Sequence, residues 1–473
     1  MQKNPSRSNN DEMRELLRQF DNLKNGRSHS FIEEESFERL INYFDEREDL
    51  ASAIQAAELG IEIYPYSSLL LIKKADLLLA SRQYRAALQL LEKAELLDSL
   101  DINLFILKTD AYLALDEQEK AIQLLEDALE LFQGEERIEL LFELADVYDD
   151  YEEFEKVFEC LKLILEEDTM NEEALYKICF WTDFTGRNEE SIKLHQNIIN
   201  EYPYSELAWF NLGAAYQGLK LYEKSIDAYM YCIAIDEKFD YAYRNMGDAY
   251  IRMRKYKEAI EMLEKVLELS RPEEVIHEAI GYCFDRLGQY AQARFHYRKA
   301  SHLNADDARY HYKIACTYIN EAQYETGIKH LHMALKANRM HPEYNLTMGI
   351  ALVELKQFET AIEHFANVIK ARPKSIKGWS SMLDCMLQAD LLDHADEYAQ
   401  AAYEATAGKP LFIFYRAAIA FATGKTKQGL LYLETGMSKA PKLIKNLITI
   451  NPKLLQHPQV VDIIARYKKS RSI

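Results

Sequence analysis

The sequence predicts an all-α solenoid of antiparallel helix pairs, and three observations predict it. First, a short motif of aromatic, charged, small and apolar residues recurs along the chain, as in QYRAAL, LYEKSI, KYKEAI, QYETGI and QFETAI. Its small residue falls at Ala53, Ala87, Ala121, Val157, Ser191, Ser225, Ala259, Ala293, Gly327, Ala361, Ala395 and Gly429, spaced 34 residues apart except for one step of 36 between Ala121 and Val157. Second, each period holds two stretches whose apolar residues recur at helical intervals. Third, Pro65, Pro203, Pro373 and Pro441 share one place near the end of the period, and Pro272, Pro342 and Pro410 lie within two residues of that junction. Proline there ends a helix where no backbone hydrogen bond is lost. A period of this length is the mark of a repeat array, in which each unit buries its apolar face only against its neighbours.

The elements follow in chain order. Residues 1–33 form a flexible N-terminal segment with one short amphipathic helix carrying Met13, Leu16, Leu17 and Phe20. Its first ten residues are basic, and whether they occupy a groove elsewhere in the chain is left open. Residues 34–443 hold twelve copies of the repeat, the first and last being the least regular, as expected of units with a neighbour on one side only. With Glu206 as position 1, the sixth copy places Trp209, Leu212, Gly213 and Tyr216 on one face of a first helix, and Ser225, Tyr229 and Cys232 on a second. Small residues at positions 8 and 20 allow the two helices to approach closely. Residues 444–473 supply capping helices, with Val460, Val461, Ile463 and Ile464 as the apolar face.

These motifs resemble the tetratricopeptide repeat (TPR) family, whose first helix carries Trp-x2-Leu-Gly-x2-Tyr and whose second carries Ala-x3-Phe before a Pro. Trp209, Leu212, Gly213 and Tyr216 meet the first part, and Ala361, Phe365 and Pro373 the second. The resemblance covers roughly residues 34–443. It implies a right-handed superhelix with first helices lining a concave groove and second helices on the convex back.

The 473 residues carry 57 basic and 77 acidic side chains, a formal net charge of -20. The balance is uneven: residues 1–200 hold 45 acidic and 21 basic side chains, and the remainder 32 and 36. The total disfavours nucleic acid as a partner, because neutralising phosphates needs a basic footprint. No run of 18 apolar residues occurs, so membrane insertion is not expected. The N-terminus lacks the apolar stretch of a secretory signal, and the six cysteines are widely scattered, which suggests reduced, packed thiols and a cytoplasmic location.

No catalytic constellation is present. The phosphate-binding patterns GxxxxGK[ST] and GxGxxG and the zinc pattern HExxH are missing, and no cofactor is expected. His330 and His332 stand two apart on a helix and point to different sides, so they share no metal; with His311 and His341 they are expected on the surface or in the groove. His195 sits at a packing position, and Cys179 and Cys232 behave there as small hydrophobes. Repeats and cap together leave no stretch for a catalytic domain. The chain is expected not to be an enzyme.

What remains are positions 2, 5, 9 and 12 of the first helix, with 6 and 13 beside them, which lie off the packing stripe at 4, 8 and 11. In copies two to four, position 9 is Asp76, Asp110 and Asp146, joined by Asp149, Asp150 and Asp183. This acidic ladder is either a solvated face or a docking track for a Lys/Arg-rich segment. In copies seven to nine the same positions carry Arg244, Arg252, Arg286, Arg309 and Lys313, with Tyr241, Tyr282 and Tyr312 interleaved. These are either ion pairs with Asp248, Glu278 and Asp285, or a pocket for an acidic peptide or C-terminal carboxylate, since arginine holds carboxylates bidentately. The patch is similar to the two-carboxylate clamp of chaperone-binding TPR domains, with Arg244, Arg309 and Lys313 at three of its basic positions, but Asp248 and Ala279 replace its asparagines. The asparagine ladder of O-GlcNAc transferase is met only by Asn211 and Asn245. The expected function is a non-enzymatic scaffold binding other proteins or peptides in the groove. The alternative is a structural subunit of a larger or self-associated assembly, based on the 31 Tyr and 20 Phe.

Overall fold

The computed structural model describes residues 5–25 and 31–469, and among these every regular element is a helix. Residues 1–4, 26–30 and 470–473 lie outside the described residues, and with them part of the segment expected to be flexible and the tail of the cap. The chain divides into two compact units, Met1–Glu237 and Lys238–Ile473.

The first unit opens with α1 (Pro5–Lys24), at 20 residues longer than the short helix expected. Six helix pairs follow: α2 (Glu34–Asp45) and α3 (Leu50–Ile63), α4 (Ser68–Ala80) and α5 (Tyr84–Glu95), α6 (Ile102–Ala114) and α7 (Gln118–Ala128), α8 (Glu135–Asp150) and α9 (Phe154–Glu167), α10 (Glu172–Thr185) and α11 (Asn188–Glu201), α12 (Glu206–Gly218) and α13 (Tyr222–Ile235). Leu16 and Phe20 of α1 pack on Ile32, Phe37, Leu40 and Ile41, closing the apolar end of the first repeat.

The second unit holds the other six pairs: α14 (Asp240–Arg252) and α15 (Tyr256–Leu269), α16 (Glu274–Arg286) and α17 (Tyr290–Leu303), α18 (Ala308–Asn320) and α19 (Tyr324–Ala337), α20 (Pro342–Glu354) and α21 (Phe358–Ala371), α22 (Ile376–Gln388) and α23 (Ala395–Ala405), α24 (Leu411–Ala422) and α25 (Thr426–Lys439). Then come α26 (Ile444–Ile450) and α27 (Pro458–Lys469). Val460, Ile463 and Ile464 are buried against Phe414, Leu433 and Met437, whereas Val461, expected on the same face, is 44% exposed.

Local chemistry explains where helices start and turn. The last residue of six repeats (Ser67, Asp101, Asn171, Ser205, Asp307 and Ser375) accepts a backbone N–H of the following first helix, satisfying a donor that has no partner within the helix. Position 15, between the two helices, is left-handed in all twelve copies, yet only Gly186, Gly288 and Gly424 among them are glycine. The two-residue insertion of the fourth copy is absorbed by α8, which starts early after Gly134 at φ +66°. Where position 8 is glycine, the second helix fills the space a side chain would take: a Cβ on Gly213 would lie 2.5 Å from the Tyr229 ring, and one on Gly349 2.5 Å from the Phe365 ring. Where position 4 is tryptophan, its indole N–H donates to the proline carbonyl six residues earlier, Trp209 to Pro203 at 2.9 Å and Trp379 to Pro373 at 2.8 Å.

The pairing has one exception. In the other repeats the two helices pack against each other, and within each unit each second helix leans on the next first helix. In the fifth repeat α10 and α11 hardly touch; α10 packs instead against α9 on one side and α12 on the other. Asn211 of α12 reaches across, donating from Nδ2 to the Leu175 carbonyl of α10 at 2.7 Å.

Candidate functional site

Within each unit, first helices touch first helices of adjacent repeats, as α2 with α4, α4 with α6 and α6 with α8, or α18 with α20, α20 with α22 and α22 with α24. Second helices make no comparable contact with one another. The first helices therefore lie on the tighter, inner side of each stack, and positions 2, 5, 9 and 12 face it.

On this face of the first unit stand the ladder residues. Asp76, Asp110 and Asp146 are exposed on α4, α6 and α8. Burial of their surroundings and mutual repulsion raise their pKa values: Asp76 by lost hydration and then by Asp45, Asp110 by lost hydration and then by Asp76. Glu143, at position 6 of α8, is raised by lost hydration and by Asp110, Asp146 and Glu139. The field thus runs unbroken from Asp45 to Asp146. Countercharge is sparse. Lys73 turns to Asn42 (3.1 Å) and Glu38 (4.0 Å), and Lys177 lies 2.8 Å from Glu173 and 3.8 Å from Asp146. Neither Asp76 nor Asp110 has a cation within ion-pair distance among the described residues.

The arginine and tyrosine residues of the second unit are differently placed. Arg244 Nη2 holds Glu273 at 2.8 Å, Arg252 Nε lies 3.4 Å from Asp248, and Arg309 Nη2 holds Asp307 at 2.6 Å. Lys313 pairs with Glu278. Arg286 has the Tyr256 hydroxyl as its partner. Of the three expected carboxylates, Asp248 and Glu278 are partners; Glu273 and Asp307 were not foreseen. Tyr312 is half-buried against Tyr344, 4.8 Å between ring centroids, and burial raises its pKa to about 12. Tyr241 and Tyr282 remain open at 52% and 37% exposure. At the far end, the cap helix α26 packs against α24, and a cleft of about 580 Å³ lined by Asp384, Tyr415, Asn446 and Thr449 is left between.

Residues 345–375 match the family model of the tetratricopeptide repeat, inside an array whose helix pairs repeat at that family's spacing. The chain's helix pairs are repeats of the tetratricopeptide type. Residues 215–348 also match the model described as the tetratricopeptide repeat protein 21 C-terminal ARM domain. Among curated proteins nothing matches. Similar solved structures include YrrB, described as a TPR protein with an unusual peptide-binding site (19% identity over 40% of this chain and 96% of that one, TM-score 0.35). Others are the C-terminal part of a TPR repeat-containing protein from Cytophaga hutchinsonii (16% identity, 54% of this chain and 99% of that one, TM-score 0.42) and the APC/C hetero-tetramer Cut9–Hcn1 (12% identity, 84% and 96%, TM-score 0.35).

Several TPR positions depart from expectation. Asn211, placed by analogy on the groove, is 2% exposed and serves the α10–α12 contact. His195 is buried completely, its Nδ1 2.7 Å from the Ser191 carbonyl and its Nε2 3.1 Å from Asn211 Nδ2. His311 and His330, expected at the surface or in the groove, are partly buried with ring centroids 5.8 Å apart, because positions 4 and 23 face each other inside a repeat. The same pair of positions holds His277 and His296 one repeat earlier, with Nδ1 atoms 3.2 Å apart. Among the described residues no three His, Cys, Asp or Glu side chains are grouped to hold a metal, and no helix is long and apolar enough to cross a membrane. The six thiols are unpaired, and burial pushes Cys160, Cys179, Cys232 and Cys283 up to about 12.

One group escaped the charge-based reading. Tyr176, Phe180 and Phe184 occupy positions 5, 9 and 13 of α10 and are 69%, 61% and 57% exposed. Their spacing of four was visible in the sequence; an apolar residue at an inner-face position was the signal.

Proposed function

We propose that this TPR array is a non-enzymatic, cytoplasmic scaffold that holds a basic segment of a partner protein along the inner face of repeats two to five. The observation that carries this reading is the contrast between the two charged stretches. Asp76 and Asp110 have no cation within ion-pair distance among the described residues, Lys73 acting on Asp76 only weakly. They stand in a field that raises their pKa values, so a ligand cation supplies charge that the fold leaves out. Arg244, Arg309 and Lys313 already hold carboxylates, which an acidic ligand must displace. In that patch Arg252 is likewise paired, with Asp248, which leaves Tyr241 and Arg286 as the residues open to an acidic partner, and we assign it the secondary role. The wide, irregular spacing of the six cysteines along the sequence supports a reducing compartment.

The test is D76N/D110N, read by fluorescence anisotropy of a labelled nona-lysine peptide. Exposed charge pairs contribute about 0.2–1 kcal/mol each, so the double variant should bind about two- to thirtyfold more weakly at low salt. The difference should shrink as ionic strength rises. Equal affinity for wild type and variant at low salt would discard the track.

A further inference from the structure

The helix α10 carries more apolar surface on its open side than packing requires. Its Ala174, Leu175, Ile178 and Thr182 are buried and suffice to seat it between α9 and α12. On the opposite side Tyr176, Phe180 and Phe184 follow one another at intervals of four. Phe154 of α9 and Trp181 join them: Phe154 stacks on Trp181 with centroids 5.4 Å apart, and meets Phe184 at 4.7 Å edge-to-face. Phe180 lies 5.9 Å from Phe184 at an interplanar angle of 25°. The result is a continuous ring surface open to solvent, of the kind that marks an interaction site.

Its surroundings are acidic. Asp146, Asp149 and Glu173 act together on Lys177, Asp150 acts on Asp146, and Asp183 is exposed beside Phe184. A cleft of about 470 Å³ opens where Phe154 and Phe184 meet Glu152, Glu153 and Glu155. Its one cation, Lys156, is held by Glu153 at 2.6 Å and by the Tyr148 ring.

Aromatic faces ringed by carboxylates select for one side-chain chemistry. A purely apolar ligand would strip water from the acids without pairing them. Lysine satisfies the charge but keeps its own hydration shell. Arginine has a planar, weakly hydrated guanidinium that stacks on rings while its edge donates to carboxylates. We infer that the ring surface of α10 is an arginine-selective subsite, taking arginine side chains of the basic partner segment. This inference rests on the basic-segment reading of the inner face and adds to it the identity of the cation.

The full-length chain is titrated with labelled nona-arginine and nona-lysine peptides, followed by anisotropy. Two exposed contacts of a cation with a ring correspond to about tenfold in affinity, a gain expected here for the weakly hydrated, stacking guanidinium of arginine over lysine. F180A/F184A should bring nona-arginine down to the affinity of nona-lysine and leave nona-lysine unchanged. Circular dichroism checks that the variant keeps its helices. The comparison on the wild-type chain needs no variant to fold. Equal affinities on wild type, or a preference that survives in F180A/F184A, overturn the subsite while leaving the acidic track standing. Binding of neither peptide overturns both.

Discussion

His195 shows how a single side chain can report on the whole packing scheme. Its Nδ1 hydrogen points to the Ser191 carbonyl and its Nε2 accepts from Asn211, so the neutral ring is fully satisfied. Protonation would set a second N–H against the Asn211 amide in a site with no exposure, and burial accordingly lowers its pKa from 6.5 to about 4. His296 is lowered to about 4 by burial and by His277, and His277, His311, His330 and His364 are shifted in the same direction. For each, the unfolded chain binds the proton first as pH falls below 6.5, so the stability of the neutral form is complete above that pH and declines towards 4. His195 alone accounts for about 3 kcal/mol across that window. The ladder carboxylates oppose this trend, because their raised pKa values make the fold gain stability as they protonate. The urea midpoint of H195Q should therefore fall less than that of wild type between pH 7 and pH 5. Parallel profiles would mean that the neutral ring is not what His195 contributes.

At the scale of the helix pair, the same exchange of alanine and glycine should act with opposite signs at two positions. Gly349 has no room for a methyl group against the buried Phe365 ring, and G349A should cost about 1–3 kcal/mol through forced repacking. Ala322 occupies the left-handed turn at φ +59°, a conformation that costs an L-residue about 1–2 kcal/mol. Glycine removes that cost but gains freedom in the unfolded chain, so A322G should stabilise by up to about 1 kcal/mol. Helicity followed through urea titration measures both; a neutral G349A or a destabilising A322G would contradict the repeat geometry. This level of the structure was the most legible in the sequence. The 34-residue period places the first helix on its frame in ten of the twelve copies, because spacing, caps and small residues are all local information. The opened fifth repeat was not legible. It depends on Asn211 reaching a backbone carbonyl 36 residues away, and no local pattern encodes that contact. The candidate site divides in the same way. The ladder aspartates were readable from their register, and the aromatic run of α10 could have been, by the same rule. That Arg244 meets Glu273 and Arg309 meets Asp307 follows from side-chain geometry at repeat junctions, which the register alone leaves undetermined.

Across the whole molecule, a stack of repeats presents an apolar end wherever its last unit lacks a neighbour. Here both ends are covered by elements outside the repeat pattern. Leu16 and Phe20 of α1 lie over Phe37, Leu40 and Ile41 of the first repeat, and Leu447, Val460 and Ile463 lie over the twelfth. Covered ends remove the surface through which one array would extend another, so the tyrosine and phenylalanine content does not of itself imply end-to-end assembly. Deleting residues 1–30 exposes Phe37, Leu40 and Ile41, each at most 1% exposed in the intact chain, and together they make an apolar patch of the size that drives association. Sedimentation velocity over a hundredfold range of concentration should give one monomeric boundary for the intact chain, and a boundary that shifts with concentration for the truncated one. Association of the intact chain would instead favour the assembly-subunit reading, with leucines open on the repeat-closing loops, Leu96 and Leu131 at 87% and 57% exposure, as the first residues to replace. A truncated chain that stayed monomeric would show that α1 does not act as a cap.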